Sequence, residues 1–149
     1  MVAGERVQSF AMTQQPADRI DAALRCVDRA SFCFDEHGEP LPQTSAPDMI
    51  ARMLRLLSGR EHRVITGVCL VANGQPSVAS ETTLVTVSEI ADKEIAGYVA
   101  SGEPLDKAGA YAIQGIASRW IPRIEGDYGN VVGLPVALVY AMLRQAGVL

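Results

Sequence analysis

The sequence predicts an α/β or α+β domain with a mixed β-sheet and flanking helices. Residues 62–72 and 77–87 are rich in β-branched side chains and flank the turn sequence NGQP, which is typical of a β-hairpin. Residues 49–57 carry apolar side chains at helical spacing, and residues 134–146 are almost entirely apolar over the length of a helix. Because helical and strand patterns intermix along the chain, one domain is expected to contain both.

Local signals indicate where the helices begin and end. Ser45 followed by Asp48 resembles a capping box and predicts the start of the helix that precedes the hairpin. Gly59 is expected to end that helix in the left-handed conformation. After the hairpin, residues 89–100 return to helical spacing, and Gly102 is expected to stop them.

The remaining predicted elements are short. A weak helical pattern covers residues 16–27, and SFCF at 31–34 is a candidate strand. Two further short strands are predicted at 110–113 and 118–124. The segment 126–133 favours a loop, because its Asp and Asn side chains can bond to nearby backbone groups.

Length, composition and charge limit the classes of function that the chain could have. The chain has 149 residues, of which 48% are apolar and 20% charged, and this fits a single globular domain over residues 1–149. The formal net charge is −4, and no stripe of Lys and Arg with interleaved aromatic residues occurs in the sequence. Proteins that bind polymeric nucleic acid usually carry such a stripe, so that class is not expected. A small anionic ligand would need only a local positive pocket.

The sequence also predicts a cytoplasmic protein. The longest charge-free apolar run, residues 131–143, is too short and too rich in Gly and Pro to cross a membrane. The N-terminal sequence MVAGERVQSFAMTQQ lacks the pattern of a signal peptide. The cysteines Cys26, Cys33 and Cys69 form no CxxC pair, which favours reduced thiols over a disulfide framework or a zinc site.

Familiar catalytic motifs are missing from the sequence. Neither His37 nor His62 lies in a metalloprotease motif or beside a Ser or Cys nucleophile pattern. The GxSxG, P-loop and GxGxxG patterns are missing as well. The sequence therefore gives no support for a serine hydrolase, a P-loop nucleotidase or a Rossmann dehydrogenase.

Residues 101–115, SGEPLDKAGAYAIQG, combine the side chains expected of a site for a phosphorylated ligand. Asp106 could hold a divalent cation or orient water, and Lys107 could neutralise phosphate oxygens. Gln114 carries both a donor and an acceptor, which suits recognition of a base edge. The alternative is a helix-to-strand connection with an exposed Asp–Lys pair, and spacing alone favours this plainer interpretation.

Three further segments are long and contiguous: LSGREHRVITGV at 57–68, YVASGEPLDKAGAYAIQG at 98–115 and IEGDYGNVVGLP at 124–135. In sequence and in order they resemble the Maf family. The resemblance covers residues 46–149. It implies a mixed β-sheet with flanking helices and a cleft between two lobes, related to the Ham1-type triphosphate pyrophosphatases. It also implies hydrolysis of nucleoside triphosphates to monophosphate and pyrophosphate with Mg²⁺ or Mn²⁺.

The resemblance assigns roles to residues of the second segment. Gln114 corresponds to the glutamine that contacts the base, with Gly115 beside it in the nucleotide-binding motif. Asp106 and Lys107 match the family's Asp–Lys pair, so Asp106 is expected to be catalytic and Lys107 to bind the nucleotide. The resemblance does not identify the ligands of the metal.

The first third of the chain departs from the family pattern. Residues 1–45 lack the usual N-terminal strand with its SxSPRR motif, and they contain neither GADT nor GKP. Asp28 is the candidate for the catalytic aspartate of GADT, although a register one residue different would place Arg29 there. The first lysine of the chain is Lys93, so the GKP lysine is absent.

Two functions stay open at this stage. One is a Maf-type pyrophosphatase with Asp28 and Asp106 as its acidic residues, possessing full or weakened activity. The other is a catalytically inactive Maf-like protein that binds nucleotides or has a regulatory role. A third possibility is a truncated gene product whose fold is completed in a homodimer, because a missing N-terminal strand would leave a sheet edge unpaired.

Overall fold

The computed structural model describes residues 27–105 and 107–149, and of residues 27–30 it describes only the backbone. The predicted helix at 16–27 lies outside these residues, except that Val27 begins the first strand. Five strands form one sheet in the order β2-β1-β3-β4-β5. Their bounds are β1 Val27–Phe34, β2 Pro40–Leu41, β3 Glu61–Ala72, β4 Gln75–Thr86 and β5 Arg123–Glu125.

Four α-helices and two 3₁₀ helices accompany the sheet in the described part of the chain. The α-helices are α1 Pro47–Leu57, α2 Asp92–Ala100, α3 Tyr128–Val132 and α4 Val136–Gln145. The 3₁₀ helices are Ala108–Ala110 and Ile116–Trp120. The α/β class is thereby confirmed. Every pairing between the five described strands is antiparallel, so parallel neighbours that a mixed sheet would contain do not occur among them.

The predicted hairpin is the centre of the sheet. β3 and β4 pair in continuous register from Glu61 opposite Thr86 to Ala72 opposite Gln75. The two residues between the strands, Asn73 and Gly74, have φ values of 51° and 73°. Two positive φ angles in a two-residue loop are the geometry that matches the twist of paired strands, and this explains why Asn-Gly lies there.

Helix α1 buries the apolar face that its spacing predicts, but it starts differently. Its buried residues are Ile50, Met53, Leu54 and Leu57. The predicted capping box at Ser45 and Asp48 is wrong, since Ala46 is the N-cap and makes no side-chain bond. Pro47 is the first helical residue; its missing N–H needs no cap and its φ is already helical. Gly59 has a φ of 71° and ends the helix region as expected.

Three short predictions differ from the structure. Residues 110–113, predicted as a strand, begin at the end of the first 3₁₀ helix and continue into a turn. In the predicted strand 118–124, the second 3₁₀ helix comes first and β5 begins only at Arg123. The predicted loop 126–133 contains α3, because the Asp127 side chain accepts from the backbone N–H groups of Gly129 and Asn130 and so nucleates a helical turn.

The buried apolar residues form two separate clusters. The first cluster contains Cys33, Leu41, Ile50, Met53, Leu54, Leu57, Val64, Val85, Val87, Ile90, Ile95, Tyr98, Ala110, Ala117 and Trp120. The second cluster contains Val68, Leu70, Val139, Met142 and Leu143. Strand β3 contributes to both, and α4 packs on the sheet through the second cluster. The sheet therefore has an apolar region towards each end of its long hairpin.

The two described cysteines are free, as expected. Cys33 is buried and Cys69 is half-buried. Burial raises the pKa of the Cys33 thiol to about 12, so it stays protonated and behaves as an apolar core residue. Cys26 lies outside the described residues. Within the described part of the chain, no helix combines the length and apolar character needed to cross a membrane.

A buried polar pair ties the sheet to the segment that follows the first 3₁₀ helix. His62 is only 2% exposed, and its Nε2 atom lies 2.8 Å from the hydroxyl of Tyr111. The two rings meet at 89° with their centroids 5.4 Å apart. Burial lowers the pKa of His62 from 6.5 to about 4, so the imidazole is neutral in the folded protein near pH 7.

The stability of the protein should therefore fall as the pH is lowered from about 6.5 to about 4. In that window the unfolded chain binds a proton at His62 that the folded protein excludes, and this costs roughly 3 kcal/mol by linkage. Denaturant unfolding at several pH values measures the dependence. His62→Gln should flatten the curve in this window, whereas His37→Gln, which changes an exposed histidine, should leave it unchanged. Equal curves for the two variants would contradict this origin of the acid sensitivity.

Candidate functional site

A row of polar side chains crosses the sheet between the two apolar clusters. Ser31 of β1 lies opposite Thr66 of β3, and Thr66 lies opposite Glu81 of β4. Thr66 is flanked two residues away by Val64 of the first cluster and Val68 of the second cluster. Since residues two apart on a strand share a face, the polar row lies on the same face as both clusters and separates them.

The row is built of oxygen atoms. The hydroxyl oxygens of Ser31 and Thr66 are 2.8 Å apart, and Thr66 is fully buried. Ser31 and Glu81 are half-buried, so they give the row contact with solvent at both ends. The Glu81 carboxylate accepts a hydrogen bond of 3.1 Å from the backbone N–H of Thr82. The row thus offers two hydroxyl groups and one carboxylate in a setting with apolar walls on both sides.

Asn130 of α3 fixes the strands beside the row. It is fully buried, and its Nδ2 atom donates to the Val64 carbonyl at 3.0 Å, the Glu81 carbonyl at 3.3 Å and the Thr83 hydroxyl at 3.0 Å. The Thr83 hydroxyl in turn donates to the Asp127 carbonyl at 3.0 Å. The segment that the sequence predicted as a plain loop therefore holds β3 and β4 together next to Glu81.

The segment that carries Lys107 lies against β1 close to the row. A Cβ atom on Gly109 would be 3.0 Å from the Sγ atom of Cys33, so the first 3₁₀ helix packs directly on that strand. Cys33 is two residues from Ser31 on the same face, about 7 Å along the strand. Gly109 has a φ of 69° and Ala110 a φ of 60°, a left-handed pair that allows this close approach. Lys107 comes directly before this helix and is half-buried.

Gln114 lies in the turn that follows, and its side chain is exposed. Gly115 is placed next to it, where a Cβ atom would overlap the carboxylate of Glu103. Only glycine fits between the turn and that carboxylate without a shift of one of them. The segment 107–115 therefore contacts β1 at Cys33, two residues from the polar row, and β3 at His62. It carries one ammonium group and one exposed amide.

Comparison with known proteins identifies the family. A model described as Maf-like protein matches residues 7–146. The chain belongs to this family. A dTTP/UTP pyrophosphatase of Koribacter versatilis is 64% identical over 99 residues, which cover 66% of this chain and 51% of that protein. One from Geobacillus is 46% identical over 110 residues, covering 74% and 57%. One from Moorella thermoacetica is 42% identical over 148 residues, covering 96% and 75%.

The chain spans little more than half the length of the first of these relatives. The Maf family resemblance read from residues 57–68, 98–115 and 124–135 is confirmed by the matched range 7–146. That range contains the polar row, the loop 107–115 and the Asn130 contacts. The features that the structure brings together are thus all within the family domain.

The structure of this Maf domain brings some of the sequence-predicted site residues together and leaves others undescribed. Lys107, Gln114 and Gly115 lie on one loop, as their spacing indicates. Asp106 lies outside the described residues. Asp28 pairs with Cys69 through its backbone in β1, three residues before Ser31, and its side chain is not described.

Ser31, Thr66 and Glu81 were missed by the sequence analysis. Glu81 is the only charged residue of β4. It lies two residues before the buried Thr83 and therefore on the same face of the strand. A lone carboxylate at a core-facing position of a strand is a signal that the alternation could have given. The pairing of Ser31 with Thr66 depends on the register between β1 and β3, which local patterns do not contain.

The described residues contain no group of three His, Cys, Asp or Glu side chains that could by themselves hold a metal ion. The donors of the row are all hard oxygen ligands. Mg²⁺ is commonly held by one or two carboxylates together with substrate phosphates, so Glu81 would suit a cation that arrives with its nucleotide.

A concave region, about 360 Å³ in volume, lies away from the polar row at the start of β3. Its charged lining consists of Asp35, Glu36, Arg60, Glu61 and Arg63. Arg60 is paired with Glu36 at 3.2 Å. Three carboxylates against two guanidinium groups leave no positive excess, so this region is poorly suited to a triphosphate.

Asn130→Ala should destabilise the protein by about 1–3 kcal/mol. The substitution leaves the buried carbonyl oxygen of Val64 without this donor and releases the Thr83 hydroxyl, both next to Glu81. Chemical denaturation would measure the change, with Gln145→Ala, which removes an exposed amide at the end of α4, as the control. An unchanged midpoint for Asn130→Ala would show that these bonds do not hold the hairpin.

Proposed function

We propose that this Maf domain hydrolyses nucleoside triphosphates to monophosphate and pyrophosphate, with dTTP and UTP as its substrates. The observation that carries the proposal is the family match over residues 7–146, together with relatives of up to 64% identity that are named dTTP/UTP pyrophosphatases. The geometry supports it as well, because the 3₁₀ helix that follows Lys107 packs on Cys33, two residues from Ser31 of the polar row. The base would lie at Gln114 and the phosphates towards the row.

Each side chain of the proposed site would have a role that suits its chemistry. Lys107 would neutralise part of the charge on the phosphate oxygens. The half-buried Ser31 hydroxyl would donate a hydrogen bond to them while it accepts one from the buried Thr66 hydroxyl. Glu81 would accept a proton from the attacking water. Water adds to the α-phosphorus as the bond to the β-phosphate oxygen breaks, and the products are nucleoside monophosphate and pyrophosphate.

A divalent cation, Mg²⁺ or Mn²⁺, is part of this proposal. Its chemistry would be to neutralise charge on the departing pyrophosphate. Glu81 is the described carboxylate that would hold it together with the substrate phosphates, and Asp28 and Asp106 are the further acidic candidates from the sequence. A cytoplasmic location fits the nucleotide substrate and the free thiols of Cys33 and Cys69. A homodimer and the exclusion of polymeric nucleic acid stay predictions from the sequence.

The full chain with Mg²⁺ or Mn²⁺ should release pyrophosphate from dTTP and UTP faster than from dATP, dGTP and dCTP. Glu81→Gln should reduce kcat/KM by roughly 10²–10⁴-fold, the range typical of a lost general base. Glu125→Gln is the matched control, because Glu125 is a surface residue of β5 paired with Arg123. Quantifying monophosphate and pyrophosphate together excludes a contaminating phosphatase.

Wild-type rates in Glu81→Gln would remove Glu81 from the chemistry, and the same assay on Asp106→Asn and Asp28→Asn would then test the other two acids. No turnover of any triphosphate by folded wild-type protein would reject the enzyme. Binding of dTTP without turnover, measured by calorimetry, would support the inactive nucleotide-binding alternative instead.

A further inference from the structure

We infer that Tyr98 and Glu103 form a positioning pair that orients Gln114 and thereby sets the selectivity for the base. This inference rests on the proposed function, in which Gln114 meets the base of the nucleotide. Neither side chain is expected to touch the substrate. Their role follows from their hydrogen-bond partners, which are backbone groups before and after Gln114 in the turn.

The Glu103 carboxylate holds the residues that follow Gln114 in that turn. Its Oε2 atom accepts a hydrogen bond of 3.0 Å from the backbone N–H of Ile116. Its Oε1 atom accepts one of 3.0 Å from the hydroxyl of Tyr98. Gly115 lies directly against the same carboxylate. One side chain therefore fixes two consecutive residues that follow Gln114.

Tyr98 holds the backbone that precedes Gln114. Its hydroxyl oxygen accepts a hydrogen bond of 3.3 Å from the backbone N–H of Ala112, while its proton is donated to Glu103. The Tyr98 ring is 2% exposed and meets Trp120 edge-on, with 5.3 Å between the ring centroids. The Tyr98 anchor is thus packed within the first apolar cluster.

The two anchors form one continuous chain of hydrogen bonds. It runs from the N–H of Ala112 through the Tyr98 hydroxyl to the Glu103 carboxylate, which also receives the N–H of Ile116. Burial alone would raise the pKa of Glu103, but the bonds from Ile116 and Tyr98 prevail and hold it below its ordinary value. The carboxylate is therefore ionised at neutral pH, and it supplies acceptors only.

This arrangement leaves the backbone on both sides of Gln114 fixed while its amide stays exposed. Recognition of a base edge depends on direction: thymine and uracil present an acceptor at position 4, where cytosine presents a donor. A backbone that is fixed at Ala112, Gly115 and Ile116 presents the Gln114 side chain to one part of the base edge. On a loose turn the same side chain could reach the edge of either base. Loss of the anchors should thus reduce selectivity more than it reduces turnover.

The test is a double-mutant cycle on the full chain, with the kcat/KM ratio of dTTP over dCTP as the readout. Glu103→Gln should lower that ratio roughly tenfold, mainly through a higher KM for dTTP and with kcat little changed. In the background of Gln114→Ala, Glu103→Gln should have no further effect on the ratio, because the pair acts through Gln114. Tyr98→Phe should act in the same direction, since it removes the hydroxyl that bonds Ala112.

Glu94→Gln is the matched control, because Glu94 is another carboxylate of the α2 region that accepts one side-chain bond, from Trp120 Nε1 at 3.3 Å, and one backbone bond, from Ala91 at 3.2 Å. Its ratio should equal that of the wild type. The inference is overturned if Glu103→Gln leaves the ratio unchanged, or if it lowers the ratio equally with and without Gln114. A fall in kcat alone for both nucleotides would overturn it as well.

If the wild-type protein does not turn over any triphosphate, the proposed function fails by itself. The same cycle is then measured as the ratio of Kd values for dTTP and dCTP by calorimetry. A higher ratio of the Kd for dTTP to the Kd for dCTP in Glu103→Gln, with no such rise in the Gln114→Ala background, would keep the positioning pair while rejecting catalysis. Absence of binding by a folded wild-type protein would reject both.

Discussion

The alternation of side chains along the β3–β4 hairpin is the constraint on which the rest of the structure depends. On one face of β3, Val64, Thr66 and Val68 follow one another, so a single buried hydroxyl separates two apolar clusters. Antiparallel pairing then brings Ser31 and Glu81 level with Thr66. A shift of the register by one residue would exchange every side chain between the faces and destroy both clusters together with the row. Core packing therefore fixes the position of the polar groups.

The loop after α2 is positioned by a different means. It is held by polar anchors rather than by regular pairing: Tyr98 and Glu103 fix the turn at Gln114, and Tyr111 bonds the buried His62. Left-handed backbone at Gly109 lets the chain pass close to Cys33. Hydrogen bonds of this kind hold the loop without burying much apolar surface, and they leave Lys107 and Gln114 available to a ligand.

The sequence could predict those elements whose signals are local. The hairpin, helices α1, α2 and α4 and the left-handed Gly59 follow from periodicity and turn chemistry. The short elements at 108–120 could not be predicted in this way, because their shape is imposed by contacts with β1 and with Glu103. Helix α3 depends on the cap provided by Asp127, which a loop prediction overlooks. Side-chain chemistry and the family resemblance both indicated Lys107 and Gln114. The alternation along β4 could have indicated Glu81, whereas the pairing of Ser31 with Thr66 depends on the register between β1 and β3.

In the proposed function, the nucleotide binds between the polar row and the loop at Gln114. Hydrogen exchange measured with and without dTTP and Mg²⁺ tests this most directly, because it reports binding whether or not turnover occurs. We expect slower exchange of the backbone amides at 112–116 and in the strands around Thr66 and Glu81. This binding site is contradicted if dTTP binds and those amides are unchanged while protection appears at the charged region near Glu36 and Arg60.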